Sequence, residues 1–109
     1  MVLPNKPVRG STSGVPIMAL FDLLGQRWNL RLMWELRQGP KTFRGLQSAC
    51  GGVSPSVMNG RLKMLSEAKL IVQSDQGYTL SPLGAELMDE LDPLRGWAKK
   101  WASEIGTKA

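Results

Sequence analysis

The chain has 109 residues, a formal charge of +5 and a pI of about 9.8, and its length accommodates one domain with a modest core. It contains one cysteine and no histidine, which excludes an internal disulfide, a histidine-based catalytic triad and a histidine metal ligand. No nucleophile with a neighbouring base and no glycine-rich phosphate loop is recognisable, so we expect no catalytic residue, no metal and no cofactor.

The basic charge is concentrated in the middle of the chain. Eight cations and two acidic residues lie between Arg27 and Lys69, which gives this segment a net charge of +6. From Pro82 to Asp92 the chain has four acidic residues and no cation. Such an asymmetry favours a domain that turns one side toward a polyanion such as nucleic acid. Because neither a secretory signal nor a long apolar run is present, we expect a cytoplasmic protein that contacts no membrane.

The N-terminal part combines a polar arm with two helices. Residues 1–14 are rich in proline, glycine and serine, so we expect a flexible arm there. A helix is predicted to start after Pro16 and to run to Leu24, with Gly25 as its C-terminal stop. It carries an apolar stripe of Ile17, Leu20, Phe21 and Leu24, which we expect to face the core. The next helix, about residues 27–38, is apolar on all sides but one, which predicts the central helix of the domain.

Residues 43–78 have the outline of a winged helix-turn-helix. A short helix over about residues 43–50 carries Phe43, Leu46 and Cys50 on one stripe, and a glycine pair at 51–52 ends it. A second helix, about residues 55–68, begins at Ser54 and Pro55 and directs Met58, Leu62 and Leu65 inward. Residues 70–80 form a β-hairpin, the wing. The second helix is the expected recognition helix.

Two further helices are predicted at the C-terminal end, over about residues 82–91 and 93–105. Ser81 with Pro82 and Asp92 with Pro93 have the pattern of an N-cap followed by a first-turn proline. Trp97 and Trp101 form part of a long apolar stripe on the last helix, and this is more aromatic surface than a small domain readily hides. Either a partner subunit covers the stripe or the helix folds back on its own domain. We predict a homodimer interface that includes Ile17, Phe21, Leu94, Trp97, Trp101 and Ile105.

The outer face of the recognition helix has side chains suited to DNA. Asn59 can form paired hydrogen bonds with adenine, Lys63 can reach phosphate or guanine, and Arg61 can contact the phosphate backbone. The predicted DNA-binding set is Lys41, Thr42, Arg44, Ser54, Ser56, Asn59, Gly60, Arg61 and Lys63. The alternative is that these residues form only the solvated side of an amphipathic helix. Gly60 either admits a close approach of DNA or is simply tolerated at a cost of roughly 1 kcal/mol.

These features together resemble the HxlR-type branch of winged helix-turn-helix transcription regulators, small dimeric bacterial proteins related in fold to the MarR family. The resemblance covers about residues 15–101. It rests on Leu23, Leu24 and Gly25 with Trp28, on Glu35 and Leu36 with Gly39 and Pro40, on Phe43 with Leu46, on Ser54, Pro55, Val57, Met58, Arg61, Leu62 and Leu65, and on Leu80, Ser81, Pro82, Leu83 and Gly84.

The resemblance implies a two-fold dimer whose N- and C-terminal helices form the interface. It also implies that the two recognition helices enter successive major grooves of a palindromic site, about 34 Å apart. Two departures stand out. Where this chain has Val15, the family commonly has a cysteine that some members use for redox or electrophile sensing. The only thiol of this chain is Cys50, which we expect to be buried and not to act as a redox or electrophile sensor. The wing has no cation between Gln73 and Thr79 and carries Asp75 at its tip, so we do not expect it to enter a minor groove.

We therefore predict a mainly α protein with a small β-hairpin that acts as a dimeric, sequence-specific regulator of transcription. We expect a repressor that binds double-stranded DNA at a palindromic operator. The sequence does not identify a small-molecule effector for the dimer crevice. The alternative is a winged-helix protein–protein interaction module that does not bind duplex DNA, which the cation-poor hairpin and the paired tryptophans favour. Salt-sensitive binding to duplex DNA distinguishes the two hypotheses.

Overall fold

The computed structural model describes residues 15–106, which form six helices and one β-hairpin. The elements in chain order are α1 (Pro16–Gly25), α2 (Asn29–Leu36), α3 (Phe43–Ala49), α4 (Pro55–Glu67), β1 (Ile71–Ser74), β2 (Gly77–Leu80), α5 (Pro82–Leu91) and α6 (Leu94–Glu104). This order is the mainly helical winged helix-turn-helix predicted from the sequence. The arm predicted for residues 1–14 lies outside the described residues.

Three helices begin where a hydroxyl side chain caps the first turn. Thr42 accepts a hydrogen bond from the Gly45 N–H at 3.0 Å, and Ser54 accepts one from the Val57 N–H at 3.3 Å. Ser81 caps α5 in the same way, 3.0 Å from the Gly84 N–H. The predicted cap at Asp92 is wrong, because residues 92 and 93 already have helical backbone angles and α6 has no side-chain cap. Asp92 instead pairs with Arg95 at 3.2 Å.

The core lies around α2, which packs against α1, α3, α4, α5 and strand β2. Its completely buried apolar side chains are Leu32, Met33, Leu36, Leu46, Met58, Leu65 and Ile71. The core face predicted for α1 is wrong in part. Ala19 and Leu23 are the buried residues of α1, whereas Ile17 and Phe21 are 47% and 58% exposed. Helix α1 is apolar on two sides but packs against the core on only one, so its second apolar side is uncovered.

Helix α2 begins two residues later than predicted because Trp28 has a left-handed backbone, with φ of 81°. The chain turns sharply at this residue, and Asn29 enters the core as the first residue of α2. Its amide nitrogen donates to the carbonyl of Leu23 at 2.8 Å and lies 3.2 Å from the sulfur of Met64. The Asn29 side chain therefore connects the end of α1 with α4, while its side-chain oxygen Oδ1 has no hydrogen-bond partner among the described residues.

The wing is attached to the start of α3. Its strands pair antiparallel from Ile71 opposite Leu80 to Ser74 opposite Gly77. Lys41 forms a β-bridge with Tyr78 through two backbone hydrogen bonds of 2.8 and 2.9 Å. Gly77 has φ of 110°, and a side chain at this position would collide with the Lys41 carbonyl. The close approach of the hairpin to the helix-turn-helix therefore requires glycine.

Candidate nucleic-acid interface

Helix α4 has one side in the core and the other free, as the sequence predicts. Its buried side chains are Met58, Leu62 and Leu65. On the opposite side, Ser56, Asn59 and Lys63 are exposed. An amide, a hydroxyl and an ammonium group on one exposed helix face supply both base-reading and phosphate-binding chemistry. The structure brings these three predicted residues together on one surface, which we call the α4 outer face.

Gly60 belongs to the same face, and nothing in the described chain fills the space beside it. A Cβ atom built on Gly60 would have no heavy atom within 4 Å. Internal packing therefore does not require glycine at this position. The backbone of α4 is bare here, in the middle of the helix, where another molecule can approach closely.

Arg61 lies partly inside the protein rather than on the outer face. Its Nε donates a 2.6 Å hydrogen bond to the backbone carbonyl of Arg27, in the turn between α1 and α2. The side chain is half-buried as a result. Arg61 therefore anchors α4 to this turn, and only its terminal amino groups are free of that bond. The sequence pattern alone assigned Arg61 to phosphate and missed this anchoring bond.

The start of α3 carries the other predicted DNA-binding cations, Lys41 and Arg44. Arg44 is exposed in the first turn, and Lys41 is half-buried because its backbone is bridged to the wing. The hydroxyl oxygens of Thr42 and Ser54 accept the hydrogen bonds that cap α3 and α4. Each hydroxyl can still donate its hydrogen to a phosphate oxygen. Caps and cations at the N-terminus of a helix favour a nearby anion.

Three other arginines of the basic segment are engaged with the protein itself. Arg37 stacks on the Trp34 ring at 3.9 Å, and Arg27 lies 5.2 Å from the Trp28 ring. Arg31 pairs with Glu35 at 2.9 Å and donates to the Ala49 carbonyl at the end of α3 at 3.0 Å. Fewer cations are therefore available to a ligand than the net charge of +6 between Arg27 and Lys69 suggests.

The only cysteine of the chain is buried. Cys50 is 5% exposed and ends α3. Burial raises the pKa of its thiol, an effect that Arg31 partly offsets and Glu35 reinforces. A protonated, buried thiol is a poor nucleophile. This agrees with the expectation of a structural rather than a reactive cysteine.

The residues predicted for a dimer interface are all exposed, on two helices. They are Ile17, Phe21, Leu94, Trp97, Trp101 and Ile105. No residue of α6 is buried, and the rings of Trp97 and Trp101 stack on each other with centroids 6.2 Å apart. The exposure of these residues is what an interface requires, and their contact with a second copy stays a prediction.

Within residues 15–106 no helix has the length and apolar character to cross a bilayer. The same residues include no group of three or more acidic or cysteine side chains placed to hold a metal ion.

Comparison with known proteins identifies the class of this fold. A family profile described as HxlR-like helix-turn-helix matches residues 23–105. The HTH-type transcriptional regulator YodB of Bacillus subtilis is 26% identical over 99 residues, which cover 84% of this chain and 88% of YodB. The HTH-type transcriptional regulator MJ0925 of Methanocaldococcus jannaschii is 25% identical over 88 residues, 77% of this chain and 83% of the relative.

Solved structures agree with the sequence comparison. The crystal structure of quinone-bound YodB from B. subtilis superposes with a TM-score of 0.71 at 28% identity, over 77% of this chain and 96% of YodB. A MarR-family transcriptional regulator from Enterococcus faecalis V583 also has a TM-score of 0.71, at 29% identity, over 83% of this chain and 88% of that protein. These proteins are regulators rather than enzymes, which confirms the expectation of a non-enzymatic protein.

Proposed function

The chain belongs to the HxlR-like helix-turn-helix family of transcriptional regulators, and from this membership we propose that it binds a palindromic DNA operator as a homodimer and represses transcription there. The observation that carries the proposal is the α4 outer face. It is exposed and polar, it has a bare backbone at Gly60, and it lies directly opposite the buried side of the same helix.

We place α4 in the major groove, where its N-terminal half contacts bases. Asn59 is suited to adenine through its amide, and Lys63, one turn further along, is suited to guanine or to a phosphate. Ser56 contacts the base edges or the sugar–phosphate backbone near the start of the helix. Arg61 has a positioning role here, because its bond to the Arg27 carbonyl sets how α4 projects from the core.

Phosphate contacts come from the start of α3 and not from the wing. Arg44, Lys41 and the capped N-terminus of α3 provide positive charge and N–H groups. The hairpin tip carries Asp75 and no cation, so phosphate repels it. We therefore propose that α4 and α3 supply most of the affinity and that the wing stays outside the minor groove.

A homodimer follows from the apolar surfaces on α1 and α6. A single copy leaves two tryptophans and several aliphatic side chains in water, and association with a second copy covers them. Two copies present two α4 helices to one face of the duplex, about one DNA turn apart. A dimer bound across two half-sites excludes polymerase from the DNA it covers, which is the basis for proposing repression.

We propose that any small-molecule effector acts without thiol chemistry. YodB has been solved with a quinone bound, but the single cysteine of this chain is buried and its thiol pKa is raised. Val15 stands where the resemblance to the HxlR-type family leads us to expect a cysteine. An effector of this protein would therefore bind without forming a bond to a cysteine sulfur.

Selection from a random duplex pool, followed by fluorescence anisotropy on the enriched site, tests the proposal. We expect an inverted repeat bound with a 2:1 protein-to-duplex ratio. Lys63→Gln should weaken binding, whereas Lys69→Gln, which removes the same charge beyond the C-terminal end of α4, should change it much less. Failure to enrich any duplex, or equal effects of the two variants, would contradict the proposal and favour a protein-binding module.

A further inference from the structure

We propose that Asn29 is a positioning residue for DNA binding, which acts through the turn between α1 and α2 to set the direction of α4 and hence the half-site spacing that the protein reads. This inference rests on the proposed function and adds which contacts fix the recognition helix. It follows from a buried amide that bonds to two helices, from a second bond between the same turn and α4, and from the backbone shape of the turn.

The amide of Asn29 bonds to α1 and to α4 at the same time. Its Nδ2 donates to the Leu23 carbonyl, near the C-terminal end of α1, at 2.8 Å and to the sulfur of Met64 on α4 at 3.2 Å. An amide nitrogen has two hydrogens, so this one atom can serve both acceptors. Asn29 is completely buried, and water therefore does not compete for either bond. An apolar side chain of similar size could fill the same space but could not join the two helices.

A second bond attaches α4 to the same turn. Arg61 donates to the Arg27 carbonyl at 2.6 Å, and Arg61 and Met64 are three residues apart on one side of α4. The two attachment points are about 4.5 Å apart along the helix axis. One attachment would fix only a point of α4, whereas two also fix the direction of its axis. Neither residue belongs to the α4 outer face, so the turn holds α4 without covering the side chains proposed to contact DNA.

The turn itself is stiff. The Gln26 N–H donates to the Leu23 carbonyl at 3.3 Å, and the Asn29 N–H donates to the Gln26 carbonyl at 3.2 Å. Trp28 has φ of 81°, which a bulky side chain rarely adopts, and the Arg27 guanidinium lies over its ring. A residue keeps such a conformation only where its surroundings determine it. A displacement of α1 therefore moves α4 with it.

The direction of α4 determines which operator a dimer can bind. Helix α1 carries the exposed Ile17 and Phe21, which the proposed homodimer covers, so the turn connects the dimer contacts with the recognition helix. A tilt of about 10° at the turn would displace the start of α4 by about 2 Å, which is more than half of the ~3.4 Å rise of one base pair. A dimer that holds both α4 helices firmly should therefore distinguish half-site spacings that differ by one base pair.

A series of duplexes in which only the half-site spacing changes tests the inference. The enriched inverted repeat is shortened and lengthened by one base pair, and fluorescence anisotropy gives the Kd of each duplex. Asn29→Leu removes the amide, whereas Met64→Leu removes only the sulfur acceptor and nearly preserves side-chain volume. Met88→Leu is the matched control, because it makes the same change at a buried methionine of α5, outside the turn.

We expect the wild type and Met88→Leu to bind the altered spacings about tenfold more weakly than the enriched spacing. In Asn29→Leu and Met64→Leu the difference should fall to about threefold or less, because α4 can then adjust its direction to each spacing. Circular dichroism verifies that each variant is folded. If Asn29→Leu does not fold, Met64→Leu decides alone.

The possible outcomes separate this inference from the proposed function. A wild type that binds no duplex, or that binds only as a monomer, would overturn both. A sharp spacing preference that either folded variant retains, even at lower affinity for every duplex, would overturn only the inference, since the contact would then have a purely structural role. A wild type that binds all spacings equally would also overturn it, because α4 would not be held in one direction.

Discussion

Replacing Gly60 with alanine is expected to stabilise the free protein and to weaken its complex with DNA. Gly60 lies in the interior of α4, and a Cβ there meets no atom within 4 Å. Without a clash to offset the gain, the substitution should contribute the full helix-propensity difference of about 1 kcal/mol. For a domain of this size that corresponds to a rise in Tm of about 4 to 8 °C.

The effect on DNA binding has the opposite sign. If the bare backbone at Gly60 lies against the groove, the added methyl group must push the duplex away from Asn59 and Lys63. A loss on the order of 1 kcal/mol raises the Kd for the selected site about fivefold. Thermal unfolding followed by circular dichroism gives the first quantity, and fluorescence anisotropy with the labelled site gives the second.

Gly96→Ala is the matched control. Gly96 lies in the first turn of α6, and a Cβ there also meets nothing within 4 Å. The substitution should give a stability gain of the same sign but smaller than that at Gly60, without loss of DNA affinity. If Gly60→Ala stabilises the protein and leaves DNA binding unchanged, the α4 outer face does not approach DNA closely. If it fails to stabilise, the account of α4 as a helix with free space at this position is refuted.

Three further predictions concern the caps, the two basic residues of α4 and the buried thiol. Thr42→Ala and Ser54→Ala should each lower the free energy of unfolding by about 1 kcal/mol, because each removes an N-cap, and urea denaturation measures this loss. Arg61→Ala should destabilise the protein by about 1 kcal/mol because it removes the hydrogen bond to the Arg27 carbonyl. Lys63→Ala should leave stability unchanged and lower the salt slope of DNA binding by about 1. Equal stabilities of the two variants would contradict the anchoring role of Arg61. Because burial raises the pKa of Cys50 in the folded state, its contribution to stability is present below the unfolded pKa and is lost as pH rises through the folded pKa. Stability should therefore fall less steeply above about pH 8.5 in Cys50→Ala than in the wild type, and identical pH dependence of the two proteins would argue against a buried thiol.

The sequence predicted the helix-turn-helix well because local signals and burial agree there. Ser54 followed by proline determines where α4 begins, the glycine pair ends α3, and the apolar spacing identifies Met58, Leu62 and Leu65 as buried. Each signal depends on neighbouring residues only. The predicted bounds of α3 and α4 accordingly differ from the observed ones by one residue.

The sequence predicted less well wherever a tertiary contact decides. The stripe of α1 is apolar over more than one side, so spacing could not tell that Ala19 and Leu23 face the core while Ile17 and Phe21 do not. The bond from Arg61 to a carbonyl 34 residues away has no local signature. For Asn29 a signal existed, since a lone amide among apolar residues of a central helix suggests a buried hydrogen bond.

Dimethyl sulfate protection of guanine N7 on the selected duplex tests the central claim most directly, since N7 lies in the major groove. We expect two protected clusters on one face of the duplex, separated by about one helical turn. As the salt concentration is raised, protection should disappear at a lower concentration with the Lys63→Ala variant than with the wild type. Full reactivity of every guanine N7 in a duplex that the protein occupies would contradict a recognition helix in the major groove.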